Sequence, residues 1–120
     1  VKCRQNGLVL SVDNYVPQSF NEQYNRKEQG IFADYVVIMG YDEHYKGSPE
    51  AGSVASIGFV EEGIKKTVDQ VPAAKVINAV RFYTRIWETK GAELLSSAVG
   101  MYMAEEFVSN HKMELTFTFC

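Results

Sequence analysis

Apolar positions along the 120-residue chain fall into runs of two kinds. Gly7-Leu-Val-Leu-Ser-Val12, Asp34-Tyr-Val-Val-Ile-Met39 and Lys75-Val-Ile-Asn-Ala-Val80 are short and almost continuously apolar, the last running on into Arg81-Phe-Tyr83. Continuous rather than alternating runs predict parallel strands covered on both faces. Between them the spacing changes to three and four. Ile57, Val60, Ile64, Val68 and Val71 predict a helix from a Ser53 cap to about Gln70, stopped by Pro72. A shorter helix is expected over Glu22 to Gln29, closed by Gly30, and a last one from Ser97 to Ser109 with Val99, Met103, Phe107 and Val108 inward.

The residues up to Gly7 read as the last turn of a helix. The order is thus a helix tail, then strand and helix three times, which predicts a right-handed parallel α/β sheet in one domain. Met113-Glu-Leu-Thr-Phe-Thr-Phe119 alternates instead, predicting a half-exposed strand of another kind.

Composition narrows the function classes. With 46% hydrophobic residues a packed core is expected. Twelve basic against fifteen acidic residues, net charge −3 and a pI near 5.4 argue against nucleic acid, since no basic excess exists to replace phosphate counterions. No apolar run reaches the ~20 residues of a membrane span. Two cysteines (Cys3, Cys120) and two histidines offer no zinc spacing and leave a terminal disulfide or two free thiols equally open. The missing initiator Met points to a processed, excised or incomplete chain.

In parallel α/β folds ligands bind beyond the carboxyl ends of the strands. The residues there are Asp13-Asn-Tyr-Val-Pro17, Gly40-Tyr-Asp-Glu-His-Tyr45 and Arg81-Phe-Tyr-Thr-Arg-Ile-Trp87. Each set joins aromatic rings to hydrogen-bonding groups, and none is a glycine-rich phosphate cradle. Rings that stack on a pyranose, beside acids and amides that bind its hydroxyls, make a sugar site. Other sites fail on spacing. Gly47 to Gly52 has the opening of a P-loop, but Ser53-Val54 replaces its Lys-Ser/Thr, and neither a G-x-G-x-x-G nor a G-x-S-x-G occurs. Asp42-Glu43-His44 is a poor metal set, because neighbours on an extended chain point to opposite sides. No cofactor is called for. Glu43 and His44 are expected to be solvated loop residues. The plainer alternative stays open: Tyr41 and Tyr45 as packing, Asp42 as a turn cap and Trp87 as core.

Phe32-Ala-Asp-Tyr-Val-Val-Ile-Met-Gly-Tyr-Asp42 resembles the sixth-strand motif of glycoside hydrolase family 18, which ends Met-x-Tyr-Asp. Leu8 to Pro17 and Val76 to Trp87 resemble the fifth and seventh strands, and the wording is closest to bacterial spore-cortex-lytic N-acetylglucosaminidases. The resemblance runs from about Cys3 to Met103. It implies three βα units, strands 5 to 7, of a (β/α)8 TIM barrel over residues 1–120, with 111–120 as the start of an α+β insertion. It implies a bacterial cell-wall, spore or secreted setting, and substrate-assisted retaining hydrolysis of β-1,4 bonds beside N-acetylglucosamine, in chitin or peptidoglycan. Tyr41 and Asp42 would then orient the acetamido group and Met39 would floor its subsite. Tyr83, Arg85 and Trp87 would form the sugar-binding rim, with Asp13 and Asn14 at the neighbouring strand end.

The family's acid, the last residue of Asp-x-x-Asp-x-Asp-x-Glu, has no counterpart in these 120 residues. General acid catalysis is worth ~10²–10⁴-fold, so the chain alone is expected to be inactive. The family barrel takes ~250 residues; the open sheet edges of a three-strand piece invite a second copy or a missing barrel segment. Arg81 stands where relatives usually carry Pro, and needs a partner or solvent. Two other readings remain: a non-catalytic sugar-binding or structural module, and a small doubly wound domain with an unrelated ligand.

Overall fold

Strand β2 (Tyr35–Met39) is the middle strand of the three-stranded sheet, and its residues explain why. Val36 and Ile38, two apart and therefore on one face, have no exposed surface at all. β2 pairs in parallel with β1 (Ser11–Tyr15) on one side and β3 (Val76–Ala79) on the other, giving the sequential order β1-β2-β3. The computed structural model describes residues 2–113, which form two units: the residues up to Tyr41 with Gly58–Val80, and Asp42–Ile57 with the residues from Arg81 on.

In the first unit the register Val12↔Val36↔Val76 places these three side chains on the face that packs on Ala33 and Val71. Each such side chain, buried, is worth about 1.5–3 kcal/mol. The opposite face carries Asp13, Tyr15, Tyr35, Val37, Met39 and Ile77. Leu8 and Val9, expected in the first strand, are exposed; the strand starts four residues later than Gly7, whose φ of 67° marks the end of α1 (Lys2–Gln5). The expected Glu22–Gln29 helix is instead a 3-10 stretch, Ser19–Tyr24, and α2, Arg26–Phe32, joined through Asn25 at φ 44°. Gly30 lies inside α2 rather than closing it. A Cβ there would meet Val71 Cγ1 at 3.1 Å, so glycine allows the close approach. The end of α2 is held by Lys75, whose ammonium donates to the carbonyls of Gly30 and Ala33 at 2.8 and 2.9 Å.

Helix α3 (Ile57–Val68) is shorter than expected, and Ser53 lies outside it. Its buried stripe is centred on Gly63 and Thr67, whereas Ile57 is 64% exposed. Thr67 is burial-compatible because its hydroxyl donates to the Gly63 carbonyl at 2.8 Å. Arg26 is buried too, its guanidinium donating to the carbonyls of Tyr15 and Asn21 and to the Asn21 side chain. Burial lowers its pKa.

The second unit departs most from expectation. Tyr83 does not extend β3, which ends at Ala79; it opens β4 (Tyr83–Lys90). β4 pairs antiparallel with β5 (Glu93–Gly100) through Gly91-Ala92. Gly91 has φ 63° and Ala92 does not share the left-handed region, the arrangement of a type II′ turn. The predicted Ser97–Ser109 helix therefore begins only at Met101, since Ser97 to Gly100 are strand. In α4 (Met101–Asn110), which packs on the hairpin, Phe107 and Val108 are half-buried and Met103 is exposed. The alternating segment from Met113 onward and Cys120 lie outside the described residues, apart from Met113 itself; Cys3 is a half-buried free thiol. No described helix is long and apolar enough to cross a membrane.

Candidate functional site

At the carboxyl end of β2 the chain turns at once. Tyr41 N–H donates back to the Met39 carbonyl at 2.8 Å, while Gly40 N–H donates to Ala79 of β3 at 3.1 Å. A Cβ on Gly40 would run into the Asn78 side chain, so glycine is required where β2 and β3 end side by side. The Asn78 Oδ1 beside it is buried and accepts no hydrogen bond from a described residue. Met39 and Tyr41 are half-buried at this end. Asp13 is exposed, but within β1 rather than beyond it. Asn14 is turned to the opposite face and is 3% exposed. Its amide is engaged with Gln29 of α2 in both directions, at 2.6 and 3.3 Å. The first unit thus presents Asp13, Met39 and Tyr41, and ties Asn14 into the scaffold.

The second unit begins at Asp42, which has a left-handed backbone, φ 62°. Aspartate tolerates that region better than most residues do. Its carboxylate is held from two sides. The Tyr83 hydroxyl donates to Oδ1 at 2.7 Å, and Arg81 Nη2 pairs with Oδ2 at 2.9 Å. Arg81 also lies over the Tyr83 ring, its Cζ 4.0 Å from the centroid, so the three side chains close on one another. This is the partner that the sequence said Arg81 needed.

Tyr83, Arg85 and Trp87 alternate along β4 and share one face of the hairpin. Arg85 donates to the Ser96 hydroxyl at 3.0 Å, while its buried Nε has no acceptor among the described residues. Trp87 donates its indole N–H to the Gly52 carbonyl at 3.1 Å.

The loop 42–56 is built by residues expected to be solvated. Glu43 accepts from the backbone N–H and the hydroxyl of Ser56, at 2.7 and 3.0 Å, just ahead of α3. His44 Nδ1 lies 2.9 Å from the Ser53 carbonyl, with its ring against Gly52. These two therefore shape the loop rather than line it. The available signals were Ser56 before the apolar helical spacing and the glycine at 52. Among the described residues no cluster of three or more His, Cys, Asp or Glu could hold a metal ion.

No family model matches the sequence. A cortical fragment-lytic enzyme of Bacillus anthracis is 29% identical over 106 residues, 83% of this chain and 24% of that enzyme. The crystal structure of Bacillus subtilis YdhD, whose name describes a sporulation-specific glycosylase, superposes with a TM-score of 0.87 at 28% identity, covering 98% of this chain and 40% of that one. A family 18 chitinase from Cycas revoluta, solved with (GlcNAc)3, shares the fold at TM-score 0.68 and 19% identity, over 91% of this chain and 39% of that one. The chain spans 19–24% of the length of the first curated relatives it matches. It is similar to glycosylases and cortex-lytic enzymes, and the resemblance read from its strand motifs is borne out.

Proposed function

We propose that this chain is a partial catalytic domain of a family 18 glycoside hydrolase, contributing strands 5 to 7 of the barrel and the groups that position an N-acetylated glycan. The sequential parallel order β1-β2-β3 supports that placement, since a segment of a closed barrel runs without reversal. The observation that carries the functional reading is the Asp42 carboxylate at the end of the Met39-Gly-Tyr-Asp42 motif, held by the Tyr83 hydroxyl with lone pairs to spare.

A carboxylate so held accepts the N–H of a 2-acetamido group. Its negative charge then stabilises positive charge developing on that group as the acetamido carbonyl oxygen attacks the anomeric carbon, so the substrate supplies its own nucleophile. In the first unit Tyr41 is read as an acetamido-orienting residue, and Met39 and Asp13 supply apolar and polar surface on the strand-end face. Trp87 and Tyr83 offer ring faces for pyranose stacking, and Arg85 a donor. Asn14 acts by holding β1 to α2. Without Asp-x-x-Asp-x-Asp-x-Glu the chain lacks the acid that the family uses to protonate the leaving oxygen, and it is expected to bind without turning over.

The test is titration of N-acetylglucosamine oligomers into the chain, followed by fluorescence of Trp87, its only tryptophan. A saturable change that Asp42→Ala weakens by tenfold or more supports the reading. A flat response from a chain that circular dichroism shows to be folded would overturn it for these residues. Release of N-acetylglucosamine above a heat-killed control would overturn the predicted inactivity.

A further inference from the structure

Asp42 alone does not choose an acetamido group. A carboxylate attracts an ammonium at least as readily as an amide N–H, because full charge adds Coulomb attraction to the hydrogen bond. A site built on an unpaired aspartate would therefore favour a cationic 2-amino sugar over its neutral N-acetylated form. In this chain the carboxylate is not unpaired. Arg81 lies 2.9 Å from Oδ2, and both side chains are about three-quarters buried, at 27% and 25% side-chain exposure, so solvent screens the pair only in part.

We propose that Arg81 sets the preference of the site for neutral N-acetylated sugars over cationic amino sugars; the proposal rests on the glycan reading above. The guanidinium offsets part of the charge of Asp42 while leaving it lone pairs, so an amide N–H keeps its acceptor and an ammonium loses most of its electrostatic advantage. The stack on Tyr83 makes the arrangement durable. Tyr83 holds Oδ1 through its hydroxyl and Arg81 through its ring, fixing cation and carboxylate by one residue. An arginine plane suits both contacts, and its charge is permanent. The intervening Phe82, at a bend just ahead of β4, is 88% exposed, while Arg81 and Tyr83 meet in the stack.

The experiment compares an N-acetylglucosamine tetramer with its fully de-N-acetylated counterpart, at a pH where the free amines are protonated, by Trp87 fluorescence. The chain is used as wild type, Arg81→Gln and Arg81→Lys. Glutamine keeps a donor near Oδ2 without the charge; lysine keeps the charge without the plane. The wild type should prefer the acetylated tetramer. Arg81→Gln should lower that preference about tenfold, or ~1.4 kcal/mol, chiefly by gaining affinity for the cationic tetramer, and the gain should shrink at high salt. Arg81→Lys should stay within about twofold of the wild-type ratio. An unchanged ratio in Arg81→Gln, or an equal loss for both tetramers in both variants, would mean a purely structural Arg81 and overturn the proposal. A wild type that binds neither tetramer has a different signature: the glycan reading itself fails and takes this inference with it.

Discussion

Trp87 gives its indole N–H, the one hydrogen-bond donor of that side chain, to the carbonyl oxygen of Gly52 at 3.1 Å. The bond ties β4 to the loop that starts at Asp42, and it leaves the ring face as the only part of Trp87 that a ligand can use. Loop anchoring and sugar stacking therefore separate in the substitutions. Trp87→Phe should lose about 1 kcal/mol of stability in urea denaturation, the usual net worth of such a bond, while keeping most of the affinity for N-acetylglucosamine oligomers measured by calorimetry. Trp87→Ala should lose both. Equal binding losses in the two variants would mean that the hydrogen bond, not the ring, serves the ligand.

The same carbonyl belongs to a glycine for a steric reason. A Cβ on Gly52 would sit within the space of the His44 imidazole. Gly52→Ala should push the ring out, break its contact with the Ser53 carbonyl, and cost about 1–3 kcal/mol as an overpacked site. Because Gly52 also holds Trp87, its emission should shift toward that of exposed indole. A melting temperature and emission maximum equal to wild type would show that the loop yields freely.

Gly63 sets two effects of opposite sign against each other. Alanine is the better helix former by about 1 kcal/mol, which would favour Gly63→Ala at an exposed position. Here the added Cβ lies 2.9 Å from Val16 Cγ1 and 3.1 Å from Cγ2, with Val16 itself buried behind β1. The clash, worth about 1–3 kcal/mol, should win, so the variant melts below wild type. Pairing it with Val16→Ala, which clears the space, should recover part of the loss.

How much was legible follows from which residues carried an unmixed signal. β2 was readable because Val36, Val37 and Ile38 are all β-branched and admit few other structures. Met39 to Asp42 could be placed at its carboxyl end because the strand itself was readable. The hairpin was missed. Val99, Met103 and Phe107 keep a helical spacing across Gly100, and Thr84-Arg-Ile-Trp87 looked like the tail of the preceding strand. Gly91-Ala92 was the available clue, a two-residue turn with glycine first. Arg81 was legible only as an oddity. Its partner lies 39 positions away, and no spacing rule links an arginine after one strand to an aspartate after another. Gly30 and Gly63 were read as a helix stop and as nothing, because a close approach to Val71 or Val16 exists only once the helices are packed.

The exposed face of α3 carries two ion pairs, Glu61–Lys65 and Glu62–Lys66, each four residues apart, at 2.7 and 2.6 Å. Hydrogen bonding to the lysines, with their charge second, lowers the pKa of each glutamate below its ordinary value. A carboxyl with a lowered folded pKa contributes stability above its unfolded pKa and loses it as pH falls through the folded value. The double variant Glu61→Gln/Glu62→Gln should melt slightly below wild type at pH 7, and the gap should close below the ordinary glutamate range. It should also narrow in 1 M salt. A gap that persists at low pH would point to side-chain packing instead.

Tyr83 offers the sharpest test of how the Asp42 carboxylate is aimed. Its hydroxyl and the Arg81 guanidinium occupy different oxygens, at 2.7 and 2.9 Å, so Tyr83→Phe removes one restraint and leaves the ring on which Arg81 stacks. Asp42 keeps its ion pair but can rotate away from the left-handed loop geometry. A hydrogen bond to a charged group is worth about 1.5–3 kcal/mol when shielded. Partial exposure trims this, so the variant should melt somewhat below wild type, and the affinity for N-acetylglucosamine oligomers should fall about fivefold to tenfold as Asp42 loses its aim. The decisive comparison is a double-mutant cycle with Asp42→Ala. If Tyr83 acts by aiming Asp42, the double variant should bind no worse than Asp42→Ala alone. If Tyr83 contacts the sugar independently, the two losses should add, and the hydroxyl would then be a ligand contact in its own right.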